Sequence, residues 1–414
     1  MEYIKKPLEY LKRLIQWTVV AVVAGLLGGL VGSVFHHCVD YVTELRLNNP
    51  WILLFLPVAG ILIAGMYRIF KKEGILDTNC VLEGVQSDKK IPFVMLPLIF
   101  VSTVLTHLVG GSVGREGAAL QLGGSIGYRL GRWMRLKKET LHIIVMAGMS
   151  SVFSALFGTP LTATVFSMEV ASVGVIHYAA LLPCVVASVV AYEISLLMGI
   201  APIRFANVVF EPVTATLMGK VVLLALLCAW VSILFCSVIH NCERCMKKRM
   251  PNPWVRGAIG GGVILLLTAL VGNQDYNGAG MDVIVHAVSG DARYEAFLLK
   301  IVFTAITIGA GFKGGEIVPT FFIGATFGCV AGNFLGMDAG FGAAIGLVTL
   351  FCCVVNCPLA SLLLAVELFG IQGILFFAVA CGVGYLMSGN RSLYHAQKII
   401  YSKLDDTYLD EYAK

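Results

Sequence analysis

Apolar runs recur along almost the whole chain, at 17–34, 51–70, 93–110, 217–239, 258–271, 296–311 and 317–335. Such runs belong in lipid, where every backbone polar group must be satisfied inside helices or closed barrels. Only 13% of the 414 residues are charged, against about 25% in soluble domains, and 58% are hydrophobic. The mean hydropathy is +0.84. The chain reads as an all-α, polytopic membrane protein. Several runs fall short of the roughly 20 residues that a full span needs, and many are broken by Gly or Pro. Short, interrupted helices in pairs point to a transporter core rather than a simple bundle.

The start, MEYIKKPLEYLKRLIQW, mixes Lys5, Lys6, Lys12 and Arg13 with Leu8, Leu11, Leu14 and Ile15. That pattern reads as an amphipathic helix on the membrane surface. Basic residues cluster there, at 68–74, at 129–138 and at 242–250. Lys and Arg mark cytoplasmic loops, so all four clusters are placed inside and both termini are expected to be cytoplasmic. The net charge of +5 then reflects orientation in a bilayer, and no nucleic-acid partner is expected. The twelve cysteines lie mostly in apolar segments and read as small hydrophobes. HNCERC (240–245) holds Cys242 and Cys245 in a Cys-x-x-Cys, which without a second pair is a weak zinc or redox signal. It is placed in a reduced cytosolic loop, and no cofactor or metal is expected.

The chain repeats itself. Gly114, Glu116 and Gly124 of GREGAALQLGGSIG recur as Gly314, Glu316 and Gly324 of GGEIVPTFFIGATFG, 200 positions on. Pro160-Leu161 recurs as Pro358-Leu359, and Glu169 and Glu367 each follow their proline by nine residues. Two motifs in one order at nearly one offset indicate two homologous halves. The expected organisation is a surface helix at 1–16 and a first membrane repeat at 17–200. An inter-repeat region at 201–256 carries the first helix of the second repeat and a basic loop. The rest of the second repeat spans 257–390, and a terminal helix with a short cytoplasmic tail occupies 391–414.

The glycine–glutamate stretches look like helix starts inside the membrane. Such a start presents unpaired N–H groups and roughly half a positive charge from the macrodipole. It can hold an anion without a buried cation. Glycines let the backbone come close to an ion, and Pro319 suits a first turn. A glutamate at such a start can occupy the anion site as a carboxylate, or become neutral on protonation and swing away. The alternative is a carboxylate that only caps its helix. For Glu116 the duplicated starts favour the ion-site reading; for Glu316 the two readings stand level.

GSVGREGAALQLGGSIG and GGEIVPTFFIGATFG, with SLYHAQK near the end, resemble the CLC anion channels and transporters over nearly the whole chain. The resemblance implies an inverted-repeat helical fold with broken half-membrane helices, and a homodimer with one anion pathway per subunit. It places Glu116 on the external gating glutamate and Tyr394 on the tyrosine that closes the inner side of the central anion site. Gly117 and Ala118 fall at the first half-helix start. Glu316, Ile317 and Val318 fall at the second, whose N–H groups face the ion.

Three departures bear on the substrate. Where the family usually has GSGIP, this chain reads GILDTNCVLEG, with Asp77, Thr78 and Asn79 near the expected serine. Val170 stands where the proton-coupled chloride exchangers carry an internal glutamate. The usual GGIFAP is GGEIVP. This pattern resembles the fluoride-exporting branch, although Val318 replaces its common threonine. Fluoride needs firm donors to replace its water, and Thr78 or Asn79 could supply them; DTN could equally be an ordinary helix cap.

The expected function is therefore halide/proton antiport, with fluoride exported in exchange for protons. The alternatives are a CLC-type chloride transporter and a passive anion channel, which Val170 also fits. No His-Glu-x-x-His and no Gly-x-Ser-Gly nucleophile occurs, so an intramembrane enzyme is not expected. The partners expected are a halide (fluoride or chloride), protons, the bilayer and a second copy. The chain's shortness and compact loops suggest the plasma membrane of a prokaryote. His36, His37, His107, Phe321, Phe322 and Phe327 are read as packing residues. Arg115 is expected to pair with a carboxylate or carbonyl elsewhere, because an unpaired membrane arginine is expensive.

Overall fold

Residues that cannot continue a helix decide where this fold breaks. A computed structural model describes residues 2–70, 76–87, 89–205, 208–405 and 407–414, with the side chains of 2–8 and of residue 139 excepted. Part of the expected basic cluster at 68–74, and the side chains of Lys5, Lys6 and Leu8, fall outside the described residues. The first half runs α1 (Glu2–Asn48), α2 (Leu56–Ile69), α3 (Thr78–Gln86), α4 (Met95–Leu108), α5 (Glu116–Trp133), α6 (Lys138–Phe157), α7 (Pro160–Glu169) and α8 (Leu181–Leu197). The second runs α9 (Ala215–Arg249), α10 (Pro253–Val271), α11 (Met281–Val288), α12 (Ala296–Ala310), α13 (Ile317–Phe334), α14 (Ala339–Val355), α15 (Pro358–Phe369) and α16 (Ile374–Met387). Among the described residues, seven helices are long and apolar enough to cross a membrane, and five more are apolar but shorter.

One break is built twice. α6 ends at Gly158, with φ 68°, and Thr159 leads into Pro160 at the start of α7. α14 ends at Asn356, with φ 56°, and Cys357 leads into Pro358 at the start of α15. A left-handed residue ends the helix, and the proline that follows can only begin the next one. Asn tolerates the left-handed region better than other residues with a Cβ, which is why it can replace Gly here.

The second repeated motif finds its use at this break. The Glu169 carboxylate at the end of α7 accepts from the Leu359 and Ala360 amides at the start of α15, at 3.3 and 3.0 Å. The Glu367 carboxylate, inside α15, accepts from the Leu161 and Thr162 amides at the start of α7, both at 2.9 Å, and from the Thr162 hydroxyl at 2.6 Å. Each half caps the other's broken helix.

Small residues set the packing around the breaks. α5 lies against α6, and α13 against α14, in the two most extensive helix pairings. A Cβ on Gly123 would come within 2.7 Å of the Gly148 backbone, and one on Gly324 within 2.6 Å of Gly346. Close backbone approach of this kind drives helix association in lipid, where no hydrophobic gain between helices is available.

Three expectations are corrected. The surface helix at 1–16 is not a separate element, because α1 continues without interruption into the first span. The basic loop at 242–250 is helix: Lys247, Lys248 and Arg249 form the last turn of α9, where cations complement the carbonyl end of the dipole, and Pro251 follows. Cys242 and Cys245 therefore lie on α9, and all twelve cysteines are free. At 391–414 there is no terminal helix. Lys398–Tyr401 (β2) pairs parallel with Ser172–Val173 (β1) and antiparallel with Tyr408–Tyr412 (β3). KIIY is β-branched and aromatic, which suits a strand, and the backbone just after α7 supplies the edge it pairs with.

Candidate ion site

The two glycine-rich stretches meet head to head. Gly114 and Gly315 exchange backbone hydrogen bonds in both directions, each at 2.7 Å, as a single antiparallel bridge. Beyond the bridge, α5 begins at Glu116 and α13 at Ile317. Two positive helix ends thus converge across one short pair of extended residues. Only glycine allows this approach. A Cβ on Gly315 would fall onto the Gly117 amide nitrogen, and one on Gly117 would lie 2.9 Å from the Gly315 Cα. The helix starts could not converge with any larger residue at either place.

Glu116 is fully buried at this junction. One carboxylate oxygen accepts from the Val318 amide of the other half at 3.3 Å. Its other oxygen has no hydrogen-bond partner. Glu316, at the start of α13, also has a buried oxygen without a partner, and a Cβ on Gly117 would lie 3.3 Å from that oxygen. The Tyr394 hydroxyl is buried and likewise unpartnered. Buried polar atoms are nearly always hydrogen-bonded, and here Glu116, Glu316 and Tyr394 each bring one unpartnered oxygen to the two helix starts and the Tyr394 segment.

Thr78 and Asn79 connect the junction to the Tyr394 segment. Asp77 caps α3, its carboxylate accepting from the Cys80 amide at 3.1 Å, so the helix-cap reading holds for that residue. The Thr78 hydroxyl donates to the Gly117 carbonyl at 3.4 Å. The Asn79 carbonyl oxygen accepts from the Ala396 amide at 3.0 Å, and its amide group donates to Asp77 at 3.3 Å. Asn79 thereby braces the Tyr394 segment, while Thr78 sits against the start of α5. Ala118, Ile317 and Val318 are buried at the two helix starts.

Gln121 belongs to this site as well. It is buried on α5, donates to the Thr78 hydroxyl at 3.1 Å, and leaves its own oxygen unpartnered. A lone amide in the apolar and glycine-rich stretch 117–124 is the available signal. Lys300 was a similar signal in an apolar run; it is fully buried and donates to the Tyr276 and Gly278 carbonyls at 3.2 and 2.8 Å. It anchors the turn at 274–280 and stays out of the site.

One cavity reaches the junction, and a second lies at the basic end of α9. The first, of about 470 Å³, is lined by Asp40, Arg46, His107, Arg115, Glu116 and Val318 among others. Arg115 donates to Asp40 at 2.9 Å, and His36 lies 2.8 Å from the other Asp40 oxygen; of the carboxylate or carbonyl partner expected for Arg115, the structure shows the carboxylate. The other cavity, of about 600 Å³, lies at the basic end of α9 and reaches Asp77, Asn79, His395 and Ala396. His37 bonds to the Met198 carbonyl and His107 to the Thr103 carbonyl. Phe321 and Phe322 are in the core, and Phe327 packs on Phe297 at 5.1 Å.

The sequence model of the voltage-gated chloride channels matches residues 59–389. The chain belongs to the voltage-gated chloride channel, or CLC, family. This CLC protein is 34% identical, over 403 residues, to the chloride/fluoride channel protein of Pseudomonas syringae pv. tomato, covering 96% of this chain and 89% of the relative. It is 26% identical over 384 residues to the H(+)/Cl(-) exchange transporter ClcA of Vibrio cholerae, covering 84% of this chain and 81% of that one. Among solved structures, a CLC-type fluoride/proton antiporter superposes with a TM-score of 0.89 at 32% identity, covering 93% of this chain and 98% of the other. The expected CLC fold, with its broken helices and two related halves, is the observed one, and the protein is a polytopic membrane protein.

Proposed function

We propose that this CLC protein exchanges a halide for protons, moving fluoride in preference to chloride. The observation that carries the reading is the Glu116 carboxylate, which reaches across the junction to the Val318 amide. A negatively charged group already stands where backbone N–H groups at two helix ends would hold an anion. Protonated, the side chain loses its reason to stay there and leaves the place to a halide. Glu116 acts as the external gate and proton carrier. Thr78, Gly117, Ala118, Glu316, Ile317, Val318 and Tyr394 frame the anion, and Asn79 holds the Tyr394 segment in position.

Preference for fluoride rests on hydration. Fluoride gives up its water only to strong, well-placed donors. The amides at the starts of α5 and α13, a protonated Glu316, and the Thr78 hydroxyl once it turns from its long 3.4 Å bond to the Gly117 carbonyl are of that kind; chloride gains less from them. The two relatives whose names include fluoride support this choice. The working unit is a homodimer with independent pathways in a prokaryotic plasma membrane, both termini cytoplasmic, in line with the family and with the basic end of α9. Single-molecule photobleaching dominated by one step would remove the dimer.

The test is ion efflux from liposomes holding purified protein, read with fluoride, chloride and pH electrodes at matched driving force. Fluoride efflux that drives proton uptake, and exceeds chloride efflux, supports the reading. Equal or faster chloride flux leaves a general CLC anion transporter. Flux without proton movement leaves a passive channel.

A further inference from the structure

The anion path does not account for a cluster at the basic end of α9. His240 and Glu243 lie one turn apart on that helix, and His395 follows Tyr394 directly. Each offers one ligand atom, and the three atoms lie within 4.8 Å of one another. His240 is only 9% exposed. Its Nε2 lies 2.8 Å from the Ser392 carbonyl, which can only accept, so Nε2 carries the proton. The lone pair of a neutral ring is then on Nδ1, which is buried and without a partner. An imidazole whose other nitrogen donates to a backbone carbonyl is the arrangement that orients a metal-binding histidine and raises its basicity. The His395 ring lies 3.8 Å from the His240 ring, centroid to centroid.

We propose that His240, Glu243 and His395 bind a divalent transition-metal ion of the Zn2+ class, and that the bound ion slows transport by clamping α9 to the Tyr394 segment. Two imidazoles and a carboxylate, with a water in the fourth position, suit a tetrahedral ion at metal–ligand distances of roughly 2.0–2.2 Å. Ligand atoms around such an ion sit closer together than those seen here. His395 is the exposed member of the three, so closure falls on its side chain. Glu243 is now paired with Lys247, a surface ion pair that a divalent ion can displace. Asp77 lines the same cavity but is committed to capping α3. The ion would connect a spanning helix to the residue next to Tyr394, whose hydroxyl faces no partner. Metal binding stands independently of the anion-transport reading; the slowing of transport rests on it.

Purified protein titrated with Co2+ should develop a saturable visible d–d band at one ion per chain, displaced by Zn2+, without the near-ultraviolet charge transfer of thiolate ligands. His395→Gln should abolish the band, and Glu243→Gln should weaken binding about tenfold. A Cys242→Ser, Cys245→Ser double variant should keep it. In liposomes, Zn2+ on both sides should slow wild-type halide efflux several-fold and leave His395→Gln at its own metal-free rate. No saturable band, a band that survives His395→Gln, or a band lost with the two cysteines overturns the site. A band with no change in efflux overturns the clamp. If the wild type moves no halide at all while the band is intact, the transport reading fails and the metal site remains.

Discussion

Two pairs of glutamates stand at equivalent places in the two halves, and the fold treats them in opposite ways. Glu169 and Glu367 are satisfied: every carboxylate oxygen accepts at least one hydrogen bond from the other half's helix start. Glu116 and Glu316 each keep a buried oxygen with no partner. A satisfied carboxylate is a brace, because removing it strands the amides it held. An unsatisfied one has bonding capacity left over, and that capacity is available to an ion or a proton. The second pair is also unequal. Glu116 reaches the opposite half through the Val318 amide, whereas Glu316 shows no such reach.

The strongest way to break the comparison is Glu116→Gln. It keeps the shape and a hydrogen-bonding oxygen but cannot release a proton. Proton movement coupled to fluoride efflux should fall by about 100-fold or more, as expected when a positioned proton carrier is removed. A pH electrode reading that still follows fluoride would end the assignment.

Glu367→Ala tests the braces. It removes three hydrogen bonds and leaves the start of α7 without its cap. Bonds to charged groups contribute about 1.5–3 kcal/mol each and do not add fully, so a loss of about 3 kcal/mol is expected. The measurement is the midpoint of thermal unfolding in detergent, which should drop well below that of Glu116→Gln. Glu367→Gln keeps an acceptor and should fall in between. Equal midpoints for Glu116→Gln and Glu367→Ala would erase the distinction between the pairs.

Glu316 separates binding from coupling more gently. Glu316→Gln retains a donor and should impair proton coupling more than fluoride binding, while Glu316→Ala should impair both. Fluoride binding by calorimetry and coupled flux in liposomes distinguish the two. The smallest effect is expected from Val318→Thr, which adds one hydroxyl near the second helix start. A gain of a few-fold in fluoride over chloride selectivity corresponds to about one net hydrogen bond, roughly 1 kcal/mol. No change in the selectivity ratio would show that the added hydroxyl does not reach the anion.

Much of this was readable in the residues. The apolar runs required helices in lipid, and the repeat of GREG as GGEIV and of the proline–glutamate motif announced two halves. Glu116, Gly117 and Glu316 could be singled out because a carboxylate among glycines is costly in a membrane unless something uses it. Arg115 could be assigned a partner in kind, though Asp40 could not be named. The tail at 391–414 forms strands rather than the expected helix, because β2 exists only where the backbone after α7 offers an edge to pair with. The end of α9 is helix where a loop is expected, because basic residues fit either a loop or the last turn of a helix.

By itself, then, the sequence determined the solvent, the helix breaks and the duplicated starts, since these follow from local hydropathy and from what Gly and Pro allow. Only the tertiary structure decided which groups meet. The bridge between Gly114 and Gly315, the Glu116 contact with Val318, the exchange of caps by Glu169 and Glu367, and the approach of His395 to His240 each join residues more than 150 positions apart. No local propensity encodes such a pairing; it arises only when the two halves come together and set the starts of α5, α7, α13 and α15 against residues of the opposite half.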